Sequence, residues 1–156
     1  MEDSRIIMHD TPWWTSAFME WLEHELRERK RIFEYGSGHS TIYLQDRAEL
    51  VSIEHDIRWY ERIRPEIKSA EYRLVHPEES PESILGYERN FDIVIVDGIY
   101  RERCVRAALK KIKEGGYLIL DDSEKTKYRA IKKMLSQYPK EIKEENGKET
   151  TMWKKI

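Results

Sequence analysis

The stretch Arg31-Ile32-Phe33-Glu34-Tyr35-Gly36-Ser37-Gly38-His39-Ser40-Thr41, followed by Val51-Ser52-Ile53-Glu54, admits few folds. Ile32 and Phe33 read as a buried strand. Gly36 and Gly38 let the backbone turn sharply and come close to a ligand, where a β-carbon would intrude. Ser40 and Thr41 then open a helix. Glu54 ends the following strand, where a carboxylate can accept hydrogen bonds from both hydroxyls of a ribose. Strand, glycine turn, helix, strand and acid in that order describe a nucleoside-type cofactor site at the carboxyl edge of a parallel sheet.

The rest of the chain extends this pattern. Thr11-Pro12 is a helix start, and Trp14, Phe18, Trp21, Leu22 and Leu26 recur at helical spacing. Met8 to Trp14 has a second reading, as a lid over the ligand. A helix is expected from Ser40 to Arg47 with Ile42 and Leu44 inward, a strand at Leu50–Glu54, and a helix from Ile57 that Pro65 ends or kinks. Tyr72–Val75 is a short strand, and Pro77–Asn90 a loop with one helical turn near Pro81–Leu85. Phe91 to Gly98 carries a near-continuous β-branched run, suited to a strand buried on both faces. Arg101, Cys104, Val105, Ala108, Leu109 and Ile112 form a helical stripe that Gly115-Gly116 would stop. Tyr117–Leu120 is the next buried strand, and Tyr128, Ile131, Met134 and Leu135 mark another helix. Asn146-Gly147 predicts a tight hairpin between Glu141–Glu144 and Thr151–Lys154. Strands alternating with helices imply a parallel sheet covered on both faces. The hairpin makes the last two strands antiparallel.

Length and charge bound the function classes. With 156 residues the chain is expected to be one domain, residues 1–30 forming an N-terminal helix or lid and residues 31–156 the cofactor-binding core. Lys+Arg 28 against Asp+Glu 30 leaves a net charge of -2, and the basic clusters are interspersed with acids. A nucleic-acid partner is therefore disfavoured. The single cysteine, Cys104, excludes an internal disulfide and points to a reducing cytoplasm. No apolar run suits a membrane span, so membrane association is not expected. An exposed sheet edge or the apolar N-terminal helix would support a homodimer.

With an antiparallel strand closing an otherwise parallel sheet, the ordered motifs resemble the class I S-adenosylmethionine-dependent methyltransferases. Glu34-Tyr35-Gly36-Ser37-Gly38 is similar to their Glu-x-Gly-x-Gly motif, and Glu54 to their acidic second-strand end. The resemblance implies a Rossmann-like three-layer α/β sandwich: a mostly parallel seven-stranded sheet with an antiparallel C-terminal hairpin strand. A nicotinamide-linked oxidoreductase is the lesser alternative, since Thr41 stands where a dinucleotide fingerprint has its third glycine. A methyltransferase-like binding or structural protein without turnover is another.

The resemblance also implies roles. Glu34, Gly36, Ser37, Gly38, Ser40, Glu54, His55 and Asp97 are the candidate S-adenosylmethionine contacts, Glu34 offsetting the ammonium and Glu54 holding the ribose. The loop His76–Glu79 would border the adenine. Methyl transfer to an oxygen of a small hydroxylated acceptor then needs a base, for which Asp97, Asp121 and His39 are candidates. Tyr100, Arg101 and Trp14 are candidate acceptor contacts, with an internal ion pair as the rival for Arg101. Asp97, Asp121 and Asp122 end neighbouring strands and offer hard oxygen ligands for Mg²⁺. The catechol-type O-methyltransferases place a metal at similar positions, with Asp-Asn where this chain has Asp121-Asp122; capping of the next helix is the alternative fate of these acids.

Overall fold

In a computed structural model of the chain, which describes residues 12–156, the central strands are apolar on both faces because successive β-carbons alternate across a strand. In β1 (Arg31–Tyr35), Phe33 and Tyr35 enter one core and Ile32 the other. In β4 (Phe91–Val96), Val94 and Val96 oppose Ile93 and Ile95; in β5 (Ile112–Asp121), Leu118 and Leu120 oppose Ile119. With β2 (Glu49–Glu54), β3 (Glu71–Leu74), β6 (Lys140–Glu145) and β7 (Lys148–Lys154), they form one seven-stranded sheet in the order β3-β2-β1-β4-β5-β7-β6. Strands β1 to β5 pair in parallel, and β7 is inserted antiparallel between β5 and β6. Asn146 and Gly147, at φ 54 and 81, make the turn whose twist matches that of its strands. The Rossmann-like sandwich expected from the sequence is the architecture observed.

Helices α1 (Ser16–Glu25) and α2 (His39–Leu44) cover one face, with Phe18, Leu22 and Leu44 packed among Ile32, Ile95 and Met152. On the other, α4 (Arg101–Ala108) and α5 (Arg129–Met134) bring Cys104, Val105 and Ile131 against Phe33, Val94 and Leu118. Helix α3 (Ile57–Ile63) follows β2 and buries Ile63. As Pro65 requires, the α-helix stops and a 3-10 turn, Arg64–Glu66, follows.

Some expected boundaries move. Helix α1 begins at Ser16, capped by the Thr15 hydroxyl, which accepts from Phe18 N at 3.1 Å; Pro12 precedes it. Met8 and Thr11 lie outside the described residues. The helix expected over 40–47 is His39–Leu44, with Thr41 and Tyr43 buried beside Leu44, and Ile42 only half-buried. The stripe through Arg101 ends at Ala108, and Ile112 and Gly115-Gly116 belong to β5. These glycines serve a bulge, not a helix stop: a β-carbon on Gly116 would lie 2.6 Å from the Asp92 carbonyl oxygen, where the β4–β5 register shifts.

From β1 the chain crosses to β2 on one side, whereas β4 flanks β1 on the other. The loops leaving β1 and β4 therefore diverge, and a crevice opens at their carboxyl ends.

Candidate functional site

At the base of that crevice the loops after β1 and β4 touch. Asp97 N donates to Tyr35 O at 2.9 Å, and Gly36 N to Ile53 O at 3.0 Å. A β-carbon on Gly36 would stand 2.3 Å from the Asp97 carbonyl oxygen, and its φ is +89. Only glycine meets both conditions, so Gly36 fixes how closely the two loops approach.

Glu34 and Glu54 are placed differently. Glu34 shares the α1/α2 face of β1 with Ile32, is fully buried, and does not line the crevice. Its carboxylate accepts from Ser40 Oγ, from Thr41 Oγ1 at 2.6 Å and from Ser52 Oγ at 2.7 Å. Burial raises its pKa to about 7, against the three hydroxyls, which lower it, with the Asp97 charge adding to the rise. The Ser40 hydroxyl stands between Glu34 and the crevice, so the offsetting of a cofactor ammonium that the resemblance implies would act across it. Glu54 does border the crevice. One of its oxygens accepts from Ser37 N and Oγ at 2.9 and 2.7 Å, the other from His55 and Asp56 N at 3.2 and 3.0 Å. The Tyr72 hydroxyl, 2.7 Å from Ser37 Oγ, continues this network. Ser37 thus presents to Glu54 the kind of donors that a ribose diol would present.

Two adjoining cavities of about 450 and 440 Å³ occupy the crevice, and Ser37, Trp59 and Asp97 line both. Gly36, Glu54, His55 and Gly98 border the first; Trp13, Trp14, Gly38, His39, Ser40, Asp121 and Asp122 border the second. Together they have the size of a site for two small molecules. Trp59, on α3, lines both cavities, its indole N–H donating to Ser37 O at 2.7 Å. His39 is buried and meets the Trp13 ring edge-on at 5.1 Å.

Three expected contacts lie elsewhere. Tyr100 takes φ 54 at the start of α4 and turns outward, its hydroxyl donating to Glu78 at 2.9 Å. Glu78 also pairs with Arg103, and the loop His76–Glu79 borders neither cavity. Arg101 is the internal ion pair: it donates to Asp97 Oδ1 at 2.8 Å, to Asp121 O at 2.9 Å and to Gly98 O at 3.2 Å. Arg101 opens α4 four positions after Asp97, and its guanidinium reaches back over the loop that the helix follows.

The aspartates converge, with one oxygen of each of Asp97, Asp121 and Asp122 within 4.8 Å of the others. Burial raises the Asp97 pKa to about 6, opposed by Arg101 and reinforced by Asp121 and Asp122. Burial likewise raises Asp121, whereas Asp122, which burial alone would raise, is held low by its hydrogen bond to Lys148. That lysine lines the second cavity and had no role in the sequence reading. Its Nζ lies 3.1 Å from both oxygens of Asp121 and 2.6 Å from Asp122 Oδ1. A carboxylate-bound Mg²⁺ would sit at about 2.0–2.1 Å from the same oxygens, in contact with the ammonium. The residues as arranged therefore do not fit the divalent ion that the resemblance implies. No local sequence signal marks Lys148; the register Asp121↔Thr150, which sets antiparallel β7 beside β5, is what brings it there.

No helix among the described residues is long and apolar enough to cross a membrane. No protein-family model matches the chain, and no curated protein matches it by sequence. Its structure is similar to that of a protein from Klebsiella pneumoniae provisionally described as an O-methyltransferase, at TM-score 0.75 and 18% identity, over 99% of this chain and 90% of that one. It is similar to precorrin-6y C5,15-methyltransferase from Geobacter metallireducens, at TM-score 0.72 and 14% identity, over 91% and 89%. It is also similar to the O-methyltransferase TomG from Streptomyces achromogenes, solved with S-adenosylmethionine, at TM-score 0.69 and 18% identity, over 92% and 82%. The fold is that of the class I S-adenosylmethionine-dependent methyltransferases.

Proposed function

We propose that this chain transfers a methyl group from S-adenosylmethionine to an oxygen of a small hydroxylated acceptor. The observation that carries the reading is the pair of adjoining cavities at the carboxyl ends of β1 and β4, one bordered by Glu54 and the Gly36 turn, the other by the aspartates. The residues fit the cofactor, because the close approach at Gly36 leaves backbone, not side chain, at the crevice floor, and Glu54 stands beside it as a strand-end acid. Two of the structural relatives are described as O-methyltransferases, which supports an oxygen acceptor.

S-adenosylmethionine supplies an electrophilic methyl on a sulfonium. The chain's own task is then to align an acceptor oxygen, exclude water and take a proton. In this reading Glu54 releases Ser37 and accepts the ribose hydroxyls, the Gly36–Gly38 backbone borders the amino-acid part, and Ser40 lies between that part and Glu34. Trp13, Trp14 and Trp59 give the second cavity apolar walls that hold the acceptor and keep water out. Asp97 borders both cavities. One of its oxygens is held by Arg101, its side chain is 36% exposed, and a pKa of about 6 leaves it mostly ionised at neutral pH yet basic enough to take a proton. His39 is the second candidate base.

Incubation with methyl-labelled S-adenosylmethionine and panels of phenols, sugars and amines tests this. Label is expected to pass to a hydroxylated acceptor, and Asp97→Asn should lower kcat by about 10²-fold or more without weakening S-adenosylhomocysteine binding. Transfer to amines alone would move the acceptor from oxygen to nitrogen. Cofactor binding without acceptor-dependent transfer would overturn the proposed activity.

A further inference from the structure

We infer that Lys148 is the resident cation of the Asp97–Asp121–Asp122 cluster, standing where the fold's metal-dependent members hold a divalent ion. Asp121 and Asp122 both direct oxygens at the Lys148 ammonium, at 3.1, 3.1 and 2.6 Å. Thr150, two residues along β7, donates to Asp121 Oδ1 at 2.9 Å and fixes that carboxylate against the lysine stem. Asp122 takes the left-handed conformation, φ 58, which aspartate tolerates better than most residues, and so turns its carboxylate to the same ammonium.

The charges of the cluster are already matched. Arg101 pairs with Asp97, Lys148 with Asp121 and Asp122, and Lys125 reaches Asp122 Oδ2 at 4.0 Å from the solvent side. Three carboxylates face three cations, so a divalent ion would either leave two charges in excess beside the ammonium or, by displacing it, leave one. A tethered ammonium is always present and needs no free metal. It gives the wall of the second cavity a fixed positive charge beside the acids.

The inference concerns the cluster and does not rest on methyl transfer, so it is tested by binding. Mn²⁺ is titrated calorimetrically, and by its electron-paramagnetic signal, into the whole chain and into Lys148→Ala, to about 5 mM, a range that covers weak carboxylate sites. The unaltered protein should bind no stoichiometric Mn²⁺, and its melting temperature should be indifferent to Mg²⁺ and to chelator. Removing the ammonium should create a site that binds Mn²⁺ at least about tenfold more tightly, and a second change, Asp121→Asn, should abolish it. Lys148→Met, which keeps the stem's packing, serves as the second variant, and circular dichroism checks that each one folds. Stoichiometric micromolar binding by the unaltered chain would overturn the inference whatever the variants do, as would a folded alanine or methionine variant with no gain.

Discussion

Glu34 carries the motif's acid within a buried network of hydroxyls. Period-2 alternation puts it on the face that Ile32 shares with α1 and α2, and three hydroxyls satisfy its oxygens there. Folded, it keeps its proton to about pH 7; unfolded, only to about its ordinary 4.5. Between those values the folded chain holds the extra proton, so the acid's contribution to stability is full below pH 4.5 and is lost as pH rises to 7. Glu34→Gln, neutral throughout, should therefore gain on the unaltered protein by about 3 kcal/mol between pH 4.5 and pH 8, as read by urea denaturation at the two ends. A difference that does not change with pH would mean that Glu34 titrates normally. Gly36 was legible in the sequence because its φ of +89 and its closeness to the Asp97 carbonyl admit no side chain. Lys148 was not, since one lysine among many differs from its neighbours only through a register set by distant strands.

At the scale of elements, α4 acts as a clamp. Its first residue, Arg101, joins the β4 loop through Asp97 and Gly98 to the end of β5 through Asp121 O, and lies over the Tyr128 ring at 4.7 Å. Arg101→Ala leaves a half-buried carboxylate without its partner and removes a donor from two carbonyls. It should cost about 2–4 kcal/mol in thermal denaturation. Arg101→Lys should recover little of this, because an ammonium lacks the planar fork that spans three acceptors. Recovery by lysine would reduce the clamp to simple charge. The strands that bear the site were readable because their apolar runs and the Asn146-Gly147 turn are local signals. The end of α4 was not: glycines that stop a helix and glycines that permit a bulge look alike until the Asp92 carbonyl is opposite.

Across the whole molecule, the sheet order brings together residues far apart in sequence. The β1 loop, the acid ending β2, the Asp97 loop, the end of β5 and the first residue of β7 meet at one edge, and each comes from a strand end whose partner is fixed by pairing. The central claim is that the crevice between β1 and β4 holds S-adenosylmethionine with Glu54 on its ribose. Calorimetric titration of S-adenosylhomocysteine into the unaltered protein and into Glu54→Ala tests it most directly. One molecule should bind per chain, with affinity falling at least about tenfold in the variant through the loss of about 1.4 kcal/mol or more of charge-assisted hydrogen bonding. No binding at millimolar ligand, or equal binding to both proteins, would contradict it.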